Sequence, residues 1–323
     1  MTPPVPHWPG SLVAVAPGEQ VWVARAPSRP GRELVLCVHG MSGAATNWTD
    51  LMGELSSDFD CAALDLPGSG FSPPPRTPSG YSVSALAGTV IRLIESLGAG
   101  PVHLIGNSMG GSVSVRVAAR RPDLVRTLTL VSPALPDLRV RRSVAHFPVL
   151  ALPVVGERLI RGYVSRFPVR DRVTGVYATC LADPSLVHPE RLAHDVAELG
   201  RRDSLGHSAV SLSRAARTLV AETLRPAPFS LWRAAARVTS PSLVLFGADD
   251  RLVHPRLADR AARAFGNARV LVLPGTGHIA QIENPGQVGV LFRELVESVR
   301  ASGLADPGAG QAGNAGRRDP VDA

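Results

Sequence analysis

Residues 101–111 read Pro-Val-His-Leu-Ile-Gly-Asn-Ser-Met-Gly-Gly, and their order decides the fold. The apolar run 101–105 has the length and composition of a buried strand, and the stretch 109–120 has the pattern of a helix. Only Gly106, Asn107 and Ser108 lie between them, so the chain must turn sharply. Such a turn brings strand and helix backbones close together, and Gly106 and Gly110 stand where a side chain would collide. A serine raised on a strand-turn-helix bend within Gly-x-Ser-x-Gly is the setting of a nucleophile elbow.

Outward from this point the chain alternates. Strands are predicted at 11–17 and 19–26, an antiparallel pair turned at Pro17-Gly18, and then at 34–38, 61–64, 101–105 and 127–131. Helices are predicted at 47–56, 83–97 and 109–120. After Pro133 the alternation stops, and residues 134–236 are helical, interrupted by prolines and rich in arginine. It resumes with strands at 243–246 and 269–273 and helices at 255–265 and 285–300. The pattern predicts an α/β fold with a mostly parallel eight-stranded sheet flanked by helices. Its core comprises 11–133 and 237–300, with 134–236 as a helical insertion after the sixth strand and 301–323 as a small-residue, Gly-rich disordered tail.

Composition excludes several classes. Of 323 residues, 45% are hydrophobic and 19% charged, which rules out wholesale disorder and a polytopic membrane bundle. The net charge is +7, and all 34 basic residues are Arg. The charge is unevenly placed: residues 134–236 hold 15 Arg against 9 Asp and Glu, whereas the flanking regions are nearly balanced. A nucleic-acid groove is not expected, because these arginines are scattered on helices with few aromatics between them. Cys37, Cys61 and Cys180 form no close pair, arguing against a disulfide framework or zinc site. No H-E-x-x-H, G-x-G-x-x-G or P-loop frame occurs, so neither metal nor cofactor is expected. The N-terminus shows no basic stretch leading into an apolar one, and a cytoplasmic location is the expectation.

Five stretches together resemble the α/β-hydrolase superfamily, from about residue 11 to 300. They are the elbow at 106–110, CVHGMSGAATNW at 37–48, DLPGSGFS at 65–72, FGADDRLV at 246–253 and GTGHIAQIENP at 275–285. The resemblance implies that 37–48 is an oxyanion loop, 246–253 an acid-bearing turn, 275–285 a histidine loop and 134–236 a lid that selects substrate. A serine hydroxyl needs a base to take its proton as it attacks, and an imidazole changes charge near neutral pH. A carboxylate must hold that imidazole in the right tautomer. The order Ser108, Asp250, His278 meets this requirement. Asp250 is preferred to Asp249 because the family's acid stands three residues after the strand-ending glycine, here Gly247. The resemblance also implies an oxyanion hole made by the backbone N–H groups of Met109 and of Met41, which follows His39-Gly40, with both thioethers bordering the pocket.

These residues imply a serine hydrolase, esterase- or lipase-like, acting on a small-molecule ester through an acyl-enzyme. The hexapeptide at 106–111 also resembles carbon-carbon bond hydrolases of ring-cleavage pathways, although those carry Trp after the histidine where this chain has Ile279. A non-catalytic ligand-binding member of the fold is the third reading. The remaining candidates have structural readings: His39 orders the oxyanion turn, His103 is a satisfied core imidazole, His254 lies at the surface, and Asp65 bonds backbone N–H groups. The apolar run at 147–155 is expected to pack onto the core, the alternative being a surface for acyl chains or lipid.

Overall fold

A computed structural model describes residues 6–27, 29, 31–139 and 141–302. Eight strands form one sheet in the order β1-β2-β4-β3-β5-β6-β7-β8. These are β1 (Gly10–Ala16), β2 (Glu19–Arg25), β3 (Leu34–Val38), β4 (Asp60–Leu64), β5 (Val102–Asn107), β6 (Val125–Val131), β7 (Ser242–Gly247) and β8 (Ala268–Leu273). β1 pairs antiparallel with β2, and β2 with β4, while every other pairing is parallel. The central strands β3, β5 and β7 are buried along their whole length. Parallel strands covered on both faces need such unbroken apolar runs.

Helices cover both faces. On one side α1 (Thr49–Leu55) and α12 (Pro285–Ala301) bury Leu51, Met52, Val288 and Phe292 against Val35, Cys37 and Leu245. On the other, α2 (Val83–Leu97) and α3 (Met109–Arg120) bury Leu86, Val90, Val113 and Val117 against Leu36, Leu104 and Val244. α2 starts at Ser82, whose hydroxyl accepts the Ala85 N–H at 3.2 Å, and stops at Gly98 in the left-handed conformation. The elbow glycines match the sequence expectation. A Cβ on Gly110 would lie 2.1 Å from the Val38 carbonyl oxygen, and one on Gly106 would lie 2.6 Å from that of Gly110.

Between β6 and β7 the chain forms α4 (Phe147–Leu150), α5 (Val155–Arg166), α6 (Val169–Cys180), α7 (Pro189–Asp203), α8 (Ser208–Leu224) and α9 (Leu231–Ala235). α8 docks on α3 through a buried Arg116–Glu222 pair at 2.8 Å, and the same guanidinium donates to the Phe229 carbonyl at 2.7 Å. Removing one partner of such a pair leaves the other charge buried and uncompensated, at a cost of about 3–5 kcal/mol. α6 and α7 share a small cluster of Val173, Tyr177 and Leu181 that Ile279 joins. The sheet continues with α10 (Leu257–Ala264), α11 (Ala280–Glu283) and α12. No single helix among the described residues is long and apolar enough to cross a membrane. α12 carries the chain to Ala301, and the expected tail falls from residue 303 onward outside the described residues.

The run 147–155 departs from its expectation of packing on the core. Val149, Leu152, Val154 and Val155 all face solvent, and only Ala151 is buried. The physical reason lies in the backbone. The Leu150 carbonyl accepts from Ser213 Oγ at 2.8 Å and the Ala151 carbonyl from Arg217 Nε at 2.7 Å, so α8 grips the chain there and directs the next side chains outward.

Two buried imidazoles make folding pH-dependent. Burial holds His39 and His103 neutral, each with its pKa depressed to about 4, and Glu33 at 3.4 Å from His103 Nε2 does not reverse this. Burial pushes Asp65 the other way, up to about 6. Below the ordinary imidazole pKa of about 6.5 the unfolded chain gains two protons that the fold refuses, while the fold gains one at Asp65. Stability contributed by the histidines is therefore present above pH ~6.5 and lost towards pH ~4, and Asp65 offsets about half. Urea unfolding from pH 7 to 4.5 should show falling stability, and His103→Gln should flatten the slope by about 1.4 kcal/mol per pH unit. An unchanged slope would refute the assignment.

Candidate active site

β3 and β5 are neighbours although β4 follows β3 in sequence, and β4 lies on β3's other side. The loops leaving β3 and β5 therefore diverge from a switch point in the sheet, where such folds open a crevice. Ser108 sits at this point, directly after β5 and before α3, with φ 53° and ψ −118°. A non-glycine residue at positive φ stores strain on the order of 1–3 kcal/mol, and the turn holds the side chain clear of both elements. Gly40 leans against it: a Cβ there would lie 3.0 Å from Ser108 Cβ.

Asp250 and His278 meet in the same place. Asp250 Oδ2 is 2.8 Å from His278 Nδ1, and both residues are buried. Asp250 Oδ1 accepts the N–H groups of Leu252 at 2.8 Å and Val253 at 2.9 Å. Burial raises the Asp250 pKa, but the His278 imidazole and these two N–H groups outweigh it and hold the carboxyl below its ordinary value. Asp250 thus adds stability above the ordinary carboxylate pKa, lost as pH falls through the depressed one. Asp249 is exposed, with its N–H on the Thr276 carbonyl at 3.0 Å. Asn107 connects the elbow to the histidine loop, its Nδ2 donating to the carbonyls of Val131 at 3.0 Å and His278 at 3.1 Å. No hydrogen bond joins Ser108 Oγ to His278 among the described residues; in unliganded sites such contacts often tighten only with substrate.

The loop after β3 brings up the other expected groups. His39 Nε2 accepts the Leu66 N–H at 2.9 Å, so the proton must be on Nδ1, which donates to the Gly40 carbonyl at 2.7 Å. Asp65 accepts the N–H groups of Ala45 at 2.6 Å and Phe71 at 2.7 Å. The backbone N–H groups of Met41 and Met109 donate to no other group among the described residues. Met109 borders a cavity of about 550 Å³ beneath α4–α8. The Met41 side chain instead packs against the core cluster, because the chain reverses at once, with the Gly43 N–H on the Gly40 carbonyl at 3.1 Å and Ser42 at φ 63°. His254 is partly exposed, its Nδ1 accepting the Arg256 N–H at 3.1 Å.

Sequence reasoning missed the residues that bind the helical insertion to these loops. Arg202 of α7 donates to the carbonyls of Ser42 at 2.9 Å and Gly43 at 3.2 Å. Glu283 accepts the Gly277 N–H at 2.6 Å through one oxygen, and those of Ala182 at 2.6 Å and Asp183 at 3.2 Å through the other. Arg141 reaches the Asp250 carbonyl. Glu283 clamps the backbone beside His278, so Glu283→Ala should lower kcat about 10- to 100-fold with a smaller effect on KM. Equal kcat in variant and wild type would show that the clamp does not position the imidazole.

Among the described residues no cluster of three or more His, Cys, Asp or Glu could hold a metal ion. What the arrangement can do is acid-base chemistry at a serine: a buried carboxylate fixes an imidazole, Asn107 ties the backbone of that histidine to the elbow turn, and Met109, next to the elbow serine, borders the cavity.

The alpha/beta hydrolase family model matches residues 35–289, and the chain belongs to that family. It is 27% identical over 267 residues to the dihydrolipoyllysine-residue acetyltransferase component of the acetoin cleaving system of Cupriavidus necator, which covers 82% of this chain and 63% of that one. It thus spans less than two thirds of that relative. It is 26% identical over 253 residues to a candidate carbamate hydrolase, RutD, of Pseudomonas savastanoi pv. phaseolicola, covering 78% and 89%. The crystal structure of a candidate lipase from Acinetobacter baumannii superposes with a TM-score of 0.74 over 91% of this chain and 92% of that one, at 20% identity, a likeness of fold. The hydrolase names among these relatives support enzyme status.

Proposed function

We propose that this protein is a serine hydrolase that cleaves carboxylic esters with apolar acyl groups. The observation that carries the reading is the buried Asp250–His278 hydrogen bond of 2.8 Å, coupled through Asn107 to the turn that bears Ser108. Ser108 Oγ attacks the ester carbonyl carbon while His278 Nε2 takes its proton. The negative charge on the carbonyl oxygen is met by the N–H groups of Met41 and Met109, each worth about 3 kcal/mol in the transition state. The protonated imidazole then gives its proton to the departing alkoxide, leaving an acyl-enzyme. Water, deprotonated by the same imidazole, releases the acid. The helices of 134–236 act as a lid, and the walls contributed by Leu150, Leu159, Ile160, Val164 and Leu212 favour an apolar acyl chain.

A panel of p-nitrophenyl esters from two to sixteen carbons tests the reading, with a vinylogous 1,5-diketone as control. Rates rising with chain length are expected. Turnover of the diketone alone would favour carbon-carbon cleavage, and no turnover of any compound would favour a ligand-binding role.

A further inference from the structure

The charge excess of the helical insertion is concentrated in one part of it. Residues 139–170 hold seven Arg and a single acid, Glu157, whereas 171–236 hold eight Arg against seven acids. The later arginines include paired ones: Arg172 with Asp203, Arg191 with Asp50, Arg201 with Glu198. On α5, Arg161 faces Glu157 at 3.7 Å, and Arg158 and Arg166 stand among exposed apolar side chains. Leu152, Val154, Val155, Leu159, Tyr163 and Phe167 are between 43% and 54% exposed. Arg158 and Arg166 lie one helical turn from Val155 and Tyr163, on neighbouring positions of the same face.

The tip of this surface is strained. Val154 has φ 64° and ψ −50°, and the Val155 N–H bonds the Pro153 carbonyl at 2.6 Å, a γ-turn of the rare positive-φ kind. A β-branched residue is costly there, and Leu-Pro-Val-Val is a costly sequence to leave in water. α8 holds the preceding carbonyls, so the turn is presented rather than loose. Leu159 and Tyr163 also line the 550 Å³ cavity, which makes the outer apolar face continuous with the chamber that reaches Met109.

We propose that the 152–167 face is a docking surface for an anionic lipid bilayer, from which an ester-bearing lipid passes across Leu159 and Tyr163 into the cavity. The substrate route rests on the ester-hydrolase reading, whereas the docking does not. Apolar residues at the tip enter the acyl boundary and the flanking arginines meet anionic headgroups. A second copy of the chain fits less well, because a two-fold pairing would set two arginine-rich faces against each other.

Co-sedimentation of the full chain with phosphatidylcholine vesicles, with and without 30% phosphatidylglycerol, tests this. Binding to the phosphatidylglycerol vesicles is expected, weakened by 0.5 M NaCl. The pair Arg158→Gln and Arg166→Gln should weaken it about 30-fold, at about 1 kcal/mol per arginine. Val154→Asp with Val155→Asp should also weaken it, while p-nitrophenyl acetate hydrolysis stays at the wild-type rate, separating docking from chemistry. Overturning results are no binding to either vesicle, binding that both double variants retain, or a concentration-dependent dimer that the aspartates dissolve.

Discussion

Ser108→Ala is expected to lower ester hydrolysis by about 10⁴- to 10⁶-fold, to the residual rate supplied by the oxyanion donors and binding alone. The fold should survive, since the Oγ makes no hydrogen bond among the described residues that the core depends on. Stability offers a second reading of the same position. At φ 53° an alanine keeps the strain that serine carries, whereas a glycine relieves it. Ser108→Gly should therefore be about 1 kcal/mol more stable than Ser108→Ala by thermal unfolding, while equally inactive. Retained hydrolysis in the alanine variant would dispose of Ser108 as nucleophile. Equal stability of the two variants would dispose of the strain.

Asp250→Asn should cost about 10⁴-fold in kcat. The hydrogen-bond pattern says why an isosteric change does so much. Oδ1 must accept from two backbone N–H groups, Leu252 and Val253, so an asparagine would keep its oxygen there and turn its NH₂ toward His278. The imidazole would then accept at Nδ1 and carry its proton on Nε2, the tautomer unable to take a proton from Ser108. Asp249→Asn should stay within about twofold of wild type, because that side chain is exposed. Rates of the two variants on one ester decide between the carboxylates, and a reversed order would move the acid to Asp249.

Much of the site was legible because its constraints are local. Gly106 and Gly110 declare the elbow within five residues, and the spacing from Gly247 separates Asp250 from its neighbour. Buried strands such as Leu34–Val38 announce themselves by continuous apolar runs. The contacts between the insertion and the core were not legible. Arg202 finds Ser42 across 160 positions and Glu283 finds Ala182 across 101, and no local pattern distinguishes either residue from its exposed kin. The run 147–155 misled for a related reason: its hydrophobicity predicts burial, but bonds from Ser213 and Arg217 to its backbone decide which way it faces. Met41 lies on the loop after β3, and with the reversal at Ser42-Gly43 its half-buried side chain packs against the core cluster, which no local pattern announces.

The claim on which the rest depends is that Ser108 is the activated nucleophile that becomes covalently modified. Intact-protein and peptide mass spectrometry after treatment with a fluorophosphonate tests it most directly. One adduct per chain, located on the peptide containing Ser108 and absent when Ser108 is replaced by alanine, is the predicted result. An adduct on another residue, or none at all from folded protein, would contradict it.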